Sequence, residues 1–235
     1  MKLLKIGLVG YQGAGKDTFA EAAEGWGRAS FAEPIKRVAR LFGMLENGRE
    51  DKEKPRTLRL ARGVEPLPEY VEQLFGIQPT NADRKAFRSA LASVLQPDTL
   101  SHSLGATTYQ LSPRRFQQLI GTEIGRKLYG DGFWVNRAME LVDVAGINSL
   151  STDVRFPNEV DQLDALILVT REGTQSHGNH ASENLVNSIH KAYSFHQGQP
   201  KFLYNYQRAN GQPSPARSHT VYTFENNGPN KRGLK

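Results

Sequence analysis

Apolar residues first gather at Leu3-Leu4-Lys5-Ile6-Gly7-Leu8-Val9, a short run whose length predicts a buried strand over residues 3–9. Glycine-rich sequence follows. Phe19, Ala20, Ala22 and Ala23 then predict a helix that starts near Lys16 and stops at Gly25. Trp26–Phe31 reads as a second strand. Ile35, Val38, Ala39 and Phe42 recur at three- and four-residue intervals, which predicts a helix over 33–42 with Pro34 in its first turn. Between 45 and 111 the pattern loosens: glycine, proline, asparagine and charge are frequent, and only 70–75 and 84–95 keep a helical spacing.

Regularity returns at Ser112-Pro113, a serine N-cap with proline at the first helical position. Phe116, Leu119 and Ile120 carry that helix past Gly121 to Leu128, and another is expected over 134–144. Two strands are expected at 147–152 and 165–170, with a short helix over 158–163 between them. Residues 220–225 alternate and make a fifth strand. Strands separated by helices predict an α/β fold with a five-stranded, mostly parallel sheet. Residues 171–219 are polar and rich in Gly, His, Ser and Asn, which reads as a lid followed by a long surface excursion. No internal repeat is visible.

Length narrows this picture. With 235 residues and a hydrophobic share of 38%, the chain suits one α/β domain, 1–235, with insertions at 45–111 on the substrate side and at 172–219. The absence of cysteine removes disulfides, thiolate metal sites and thiol catalysis together. No apolar stretch approaches the roughly 20 residues that span a bilayer. Met1–Lys5 leads into glycines rather than a long apolar run, so a soluble cytoplasmic protein with no secretory signal is expected. The net charge of +6 fits either a nucleic-acid groove or a pocket for small polyanions. The densest basic patch, 49–62, also holds Glu50, Asp51 and Glu53 and reads as a solvated surface segment.

Chemistry concentrates at Gly10-Tyr-Gln-Gly-Ala-Gly-Lys16, which fits the first seven positions of the G-x-x-x-x-G-K-[ST] phosphate-loop pattern. It follows a strand and precedes a helix, as a phosphate cradle needs. Gly13 and Gly15 let successive amide N–H groups face one anion, and Lys16 reaches the β- and γ-phosphates of a triphosphate. The position after the lysine is Asp17 rather than Ser or Thr, and the hydroxyl arrives one place later at Thr18. Asp17 and Thr18 are therefore the candidate Mg²⁺ contacts, directly or through water.

A second constellation, Asp153-Val-Arg155-Phe-Pro-Asn-Glu159, follows the strand at 147–152. Ligands gather at the carboxyl ends of strands in such sheets. Asp153 there can hold a metal or its water and Arg155 can clamp phosphate, or the two form a surface ion pair beside a turn. Arg114 and Arg115 are either a further phosphate grip or helix-surface charge. Trp134 either stacks on a base or fills the core. His177, His180 and Glu183 match no zinc spacing, and a polar lid is the better reading.

Taken together, these segments resemble the bacteriophage deoxynucleoside monophosphate kinases, a branch of the P-loop nucleotide kinases. The resemblance rests on Gly13-Ala-Gly-Lys-Asp-Thr18, Phe31-Ala-Glu-Pro-Ile-Lys36, Ser112-Pro-Arg-Arg115, Gly121-Thr-Glu123, Trp134-Val135, Asp153-Val-Arg155, His180-Ala-Ser-Glu183 and Asn226-Asn-Gly228. Gly-Lys-Asp-Thr is usual in that family. It leaves 45–111 and 185–218 uncovered.

The resemblance implies a three-layer P-loop NMP-kinase-like fold with an inserted helical substrate-binding and lid region. It implies phosphoryl transfer from ATP, with Mg²⁺, to a deoxynucleoside monophosphate in the cytoplasm of the phage's host. Gly13, Ala14, Gly15, Lys16, Asp17 and Thr18 would hold the donor. Lys36, Arg115, Gly121, Arg126, Trp134, Asp153, Arg155 and Glu159 would surround the acceptor. Arg171 would neutralise the transferring group beside Lys16, Asp153 and Arg155. A homodimer is consistent with the family, while nucleic-acid and membrane partners are not expected. No dedicated general base is required, because the acceptor phosphate is already ionised near neutral pH.

Overall fold

The computed structural model describes residues 2–45, 48, 50–61, 66–94, 106–175, 181–206 and 217–227. They fall into two compact units, Met1–Phe31 with Ala138–Lys235, and Ala32–Arg137.

The first unit is built on a sheet. Strands β1 (Lys5–Val9), β2 (Gly27–Ala29), β5 (Ser149–Ser151), β6 (Ala165–Thr170), β7 (Lys201–Tyr206) and β8 (Arg217–Glu225) lie in the order β2-β5-β1-β6-β8-β7. All neighbours pair in parallel except β7, which runs antiparallel to β8 at the edge. β1 sits centrally between β5 and β6, with Gly7 opposite both Ser151 and Leu166. Its last residues, Leu8 and Val9, are fully buried, as a parallel strand covered on both faces requires. Helix α1 (Lys16–Ala22) packs Ala20 and Phe19 against Leu8 and Leu150.

The sheet therefore has six strands rather than the expected five. The sixth, β7, comes from the stretch read from sequence as lid and excursion. Phe202 and Tyr204 are buried there, while Lys201, Leu203 and Asn205 point to solvent, an ordinary period-two strand. The same stretch carries α9 (Ala181–Phe195), anchored by Leu185, Val186 and Ile189. Residues 176–180 and 207–216 of this stretch, His177 and His180 among them, lie outside the described residues, as does Gly228.

The second unit is mainly helical. It comprises α2 (Glu33–Leu41), α3 (Pro66–Phe75), α4 (Asn81–Val94), α5 (Pro113–Gln118) and α6 (Gly125–Tyr129), and the helix α7 (Phe133–Ala145) begins in it. Val38, Val71, Phe87, Phe116, Leu119, Ile120, Ile124 and Trp134 form its core. Each of the larger side chains adds about 1.5–3 kcal/mol by leaving water.

Two features differ from the sequence expectation. Residues 56–61, assigned to a solvated surface segment, form β3 (Arg56–Ala61), which pairs antiparallel with β4 (Ala106–Leu111). Leu58, Tyr109 and Leu111 supply the buried face of this small sheet. The helix expected through Leu128 is also not uniform: Leu119–Ile124 winds as a π-helix between α5 and α6. Gly121 allows that winding to touch α2, because a Cβ there would lie 2.8 Å from the Ile35 side chain. Single π turns of this kind are frequent at functional sites.

Candidate functional site

The loop between β1 and α1 takes its shape from three glycines. Gly10, Gly13 and Gly15 have φ of 147°, 87° and 97°, conformations that side chains rarely adopt. At Gly10 a Cβ would stand 2.3 Å from the Val169 carbonyl oxygen of β6, so the central strands close on the loop's first residue. The curl is held by Ala14 N–H donating to the Tyr11 carbonyl at 3.2 Å and by Phe19 N–H donating to the Gly15 carbonyl at 2.9 Å. Asn226, just past β8, donates its main-chain N–H to Thr170 and its side-chain Nδ2 to the Ala14 carbonyl, at 2.8 and 2.9 Å. Asn226 thus ties the loop to two strands.

Lys16 is folded back into this loop. Its Nζ donates to the carbonyls of Gly10 at 2.6 Å and Tyr11 at 3.1 Å. Burial is the main cause that holds its ammonium below the usual lysine range; Asp17 opposes that shift and Arg155 reinforces it. The charge of Arg155 therefore reaches Lys16, and the two cations follow neighbouring strands, β5 and β1.

Asp153 follows β5 and is fixed through both oxygens. Oδ2 accepts from the Ser30 hydroxyl at 2.6 Å and Oδ1 from the Phe31 N–H at 3.0 Å, which anchors it to the end of β2. Arg155 is exposed, and its main chain is set by Glu159. The Glu159 carboxylate, 6% exposed, accepts the N–H groups of Arg155 and Phe156 at 2.6 and 3.0 Å. It caps α8 (Pro157–Val160) and holds the turn that presents Arg155. Arg171 follows β6, and its carbonyl accepts from Thr174.

Asp17 and Thr18 are both exposed on the first turn of α1. Asp17 stands 3.6 Å from the Arg28 guanidinium, outside the loop. Both offer the hard oxygen donors that Mg²⁺ takes, and a cation held chiefly by phosphates and water needs only one or two such protein oxygens. No group of three or more His, Asp or Glu suited to caging a metal occurs among the described residues. A hollow of about 300 Å³ adjoins the loop, lined by Gly15, Thr18, Phe19, Ala22, Ala23, Phe224 and Asn226.

The remaining singled-out residues belong to the second unit. Lys36 lies on α2, Gly121 in the π turn and Arg126 on α6. Arg115 carries the amide that the Ser112 N-cap accepts, at 3.2 Å. Its guanidinium forms a two-point pair with Glu123, one arm at 3.0 Å. That pair holds the Glu123 carboxyl below its ordinary range. Trp134 is 3% exposed, edge-on to Phe133, and its Nε1 has no hydrogen-bond partner among the described residues. In this conformation the indole is a core element and offers no face to a base. Arg114 pairs with Glu53.

Sequence reasoning did not find Asn226 as a loop tie, Glu123 as the partner of Arg115, or the contact between Tyr11 and His190. These two rings stack at 4.1 Å with 6° between their planes. Only Asn226 and Glu123 left a signal, as members of short motifs.

Sheet order and loop together define the class: a mostly parallel α/β protein consistent with the P-loop kinase fold. In sequence the chain is a distant homologue of the deoxynucleoside-5'-monophosphate kinase of Escherichia phage T5. The two are 29% identical over 194 residues, which is 67% of this chain and 70% of that enzyme. No family model matches the chain. The homology supports kinship with nucleotide kinases. No helix among the described residues is long and apolar enough to cross a membrane.

Proposed function

We propose that this protein is a deoxynucleoside monophosphate kinase, transferring the γ-phosphoryl group of ATP to a deoxynucleoside monophosphate to give the diphosphate and ADP. The observation that carries the reading is the Lys16 loop at the end of the central strand β1, in a chain homologous to an enzyme of that name. Backbone N–H groups of Gly13–Thr18 bind the donor phosphates. Lys16 exchanges its two loop carbonyls for phosphate oxygens and follows the charge that builds during transfer. The hollow beside Phe19 and Phe224 takes the donor's base.

Thr18 and Asp17 are the residues that would hold Mg²⁺, which when bound would supply positive charge to offset that of the donor phosphates. Arg155 and Arg171 grip phosphate, and Asp153 orients the acceptor while Ser30 and Phe31 hold its carboxylate still. Glu159 acts through the backbone of Arg155 as a positioning residue. For the acceptor we propose Lys36, Arg115, Gly121 and Arg126, with Arg115 exchanging Glu123 for the acceptor phosphate. Trp134 serves as the wall behind them. The chemistry is positioning and electrostatics rather than covalent catalysis.

A coupled assay for ADP with ATP, Mg²⁺ and each natural deoxynucleoside monophosphate, plus methylated and hydroxymethylated variants, tests this. ADP formation with at least one is expected. None with any would overturn the reading. ATP hydrolysis seen only with DNA would favour a nucleic-acid-stimulated ATPase, and turnover only with another small acceptor would favour a different P-loop kinase.

A further inference from the structure

Helix α9 lays a polar face on the phosphate loop. His190 stacks on Tyr11, ring centroids 4.1 Å apart and planes within 6° of parallel. Tyr11 is the residue whose carbonyl receives the Lys16 ammonium at 3.1 Å. One turn back on the same helix face stands Asn187, since positions three apart are neighbours. His190 Nε2 and Asn187 Oδ1 are both buried, and neither has a hydrogen-bond partner among the described residues.

Two orphaned polar atoms on one face, next to a loop built for anions, ask for a function. Among the described residues, the charged and titratable groups that act on the imidazole or its stack are Tyr11 from the loop, Lys16 from the start of α1 and, along α9 itself, Glu183, whose charge reaches Tyr11. Burial first, and Lys16 second, pull the His190 imidazole below the ordinary histidine range. Before any anion arrives, two causes thus oppose protonation of the ring, one of which is the positive charge of Lys16.

A nucleoside triphosphate reverses that field. Its phosphates bring several negative charges to Lys16, and the same charges act on the neighbouring imidazole. We propose that His190 is a second cation of the donor site: it takes a proton from solvent when a triphosphate occupies the loop, so that an imidazolium joins Lys16 beside the phosphates. This rests on the phosphate-loop reading above and adds to it a proton-coupled residue on α9. By linkage, triphosphate affinity then weakens as pH rises through the liganded-state titration of His190. The stack on Tyr11 supplies the rigidity, because a ring fixed over the loop cannot swing away from the new charge.

The test is calorimetric. A non-hydrolysable ATP analogue with Mg²⁺ is titrated into the full chain near pH 7, in buffers of low and high ionisation enthalpy (Pipes and Tris). The dependence of heat on buffer gives the protons taken up. The wild type is expected to take up a measurable fraction of a proton more than His190→Phe, which keeps an aromatic ring over Tyr11 and removes the titrating group. Equal proton counts in the two, with binding retained, overturn the proposal and leave the triphosphate reading standing. No binding by the wild type at millimolar analogue overturns both. Should His190→Phe fail to fold, the histidine ring resonances of the wild type decide. One midpoint rising on addition of the analogue supports the proposal; no midpoint moving overturns it.

Discussion

The two units hold their singled-out residues in different ways. In the sheet unit these groups are tied largely to backbone: Lys16 to the carbonyls of Gly10 and Tyr11, Asp153 to the Phe31 amide, Glu159 to the amides of Arg155 and Phe156. In the helical unit Arg115 is tied to another side chain, Glu123, and Trp134 is enclosed in the core. Backbone ties are set by the path of the chain: they fix Asp153 and the Arg155 turn in position and keep the Lys16 ammonium at its own loop. A side-chain pair, half-exposed to water, exchanges partners at small cost. Under the proposed function, the difference suits an Asp153 and an Arg155 turn that are preorganised and an Arg115 that changes partner when a competing anion arrives.

The largest expected break in this comparison is Lys16→Ala. Loss of one preorganised cation at the developing charge should lower kcat by about 10²–10³, read from initial rates at saturating ATP. Full transfer by this variant would remove the role given to the loop. Next comes Gly10→Ala. It places a Cβ where φ is 147° and 2.3 Å from a backbone oxygen of β6, so strain on the order of 1–3 kcal/mol should appear as a lower melting temperature. An unchanged melt would mean that the strands do not pin the loop.

The smallest effect belongs to the helical unit. Arg115 holds the Glu123 carboxyl below its ordinary value, so the pair stabilises the fold above about pH 4.5 and loses that contribution as pH falls through the lowered value. With the side chains 41% and 31% exposed, screening limits it to roughly 0.2–1 kcal/mol. Glu123→Gln should therefore melt slightly lower than wild type at pH 7, and the gap should close in strong acid. A gap that widened in acid would contradict the assignment.

The parts of the fold that local chemistry encodes were legible in the sequence. Gly10 to Lys16 specifies its own backbone path and sits between a strand and a helix whose periods are plain. The Ser112 cap and the strand at 165–170 are local in the same sense. What depended on distant partners was not legible. The pairing of β3 with β4 joins segments far apart in sequence, and Arg56 and Arg59 disguised the alternation of Thr57 and Leu58. In β7 the alternating Phe202 and Tyr204 were present but surrounded by polar sequence.

Within the site the same rule holds. Lys16 and Asp153 could be named from residue type and position, whereas the inward burial of Trp134 was decided by the helices around it. The stack of His190 on Tyr11 had no precursor in any local pattern. The extended phosphate loop with its backbone ties was thus half visible: its glycines and lysine were, its anchor Asn226 was only a motif without a role.

The central claim is tested most directly by following the phosphoryl group itself. ATP labelled at the γ position is incubated with Mg²⁺, the full chain and the four deoxynucleoside monophosphates in turn, and products are separated. The account predicts label in a deoxynucleoside diphosphate, with little transfer by Lys16→Ala. Label found only as inorganic phosphate, whichever monophosphate is supplied, would contradict it.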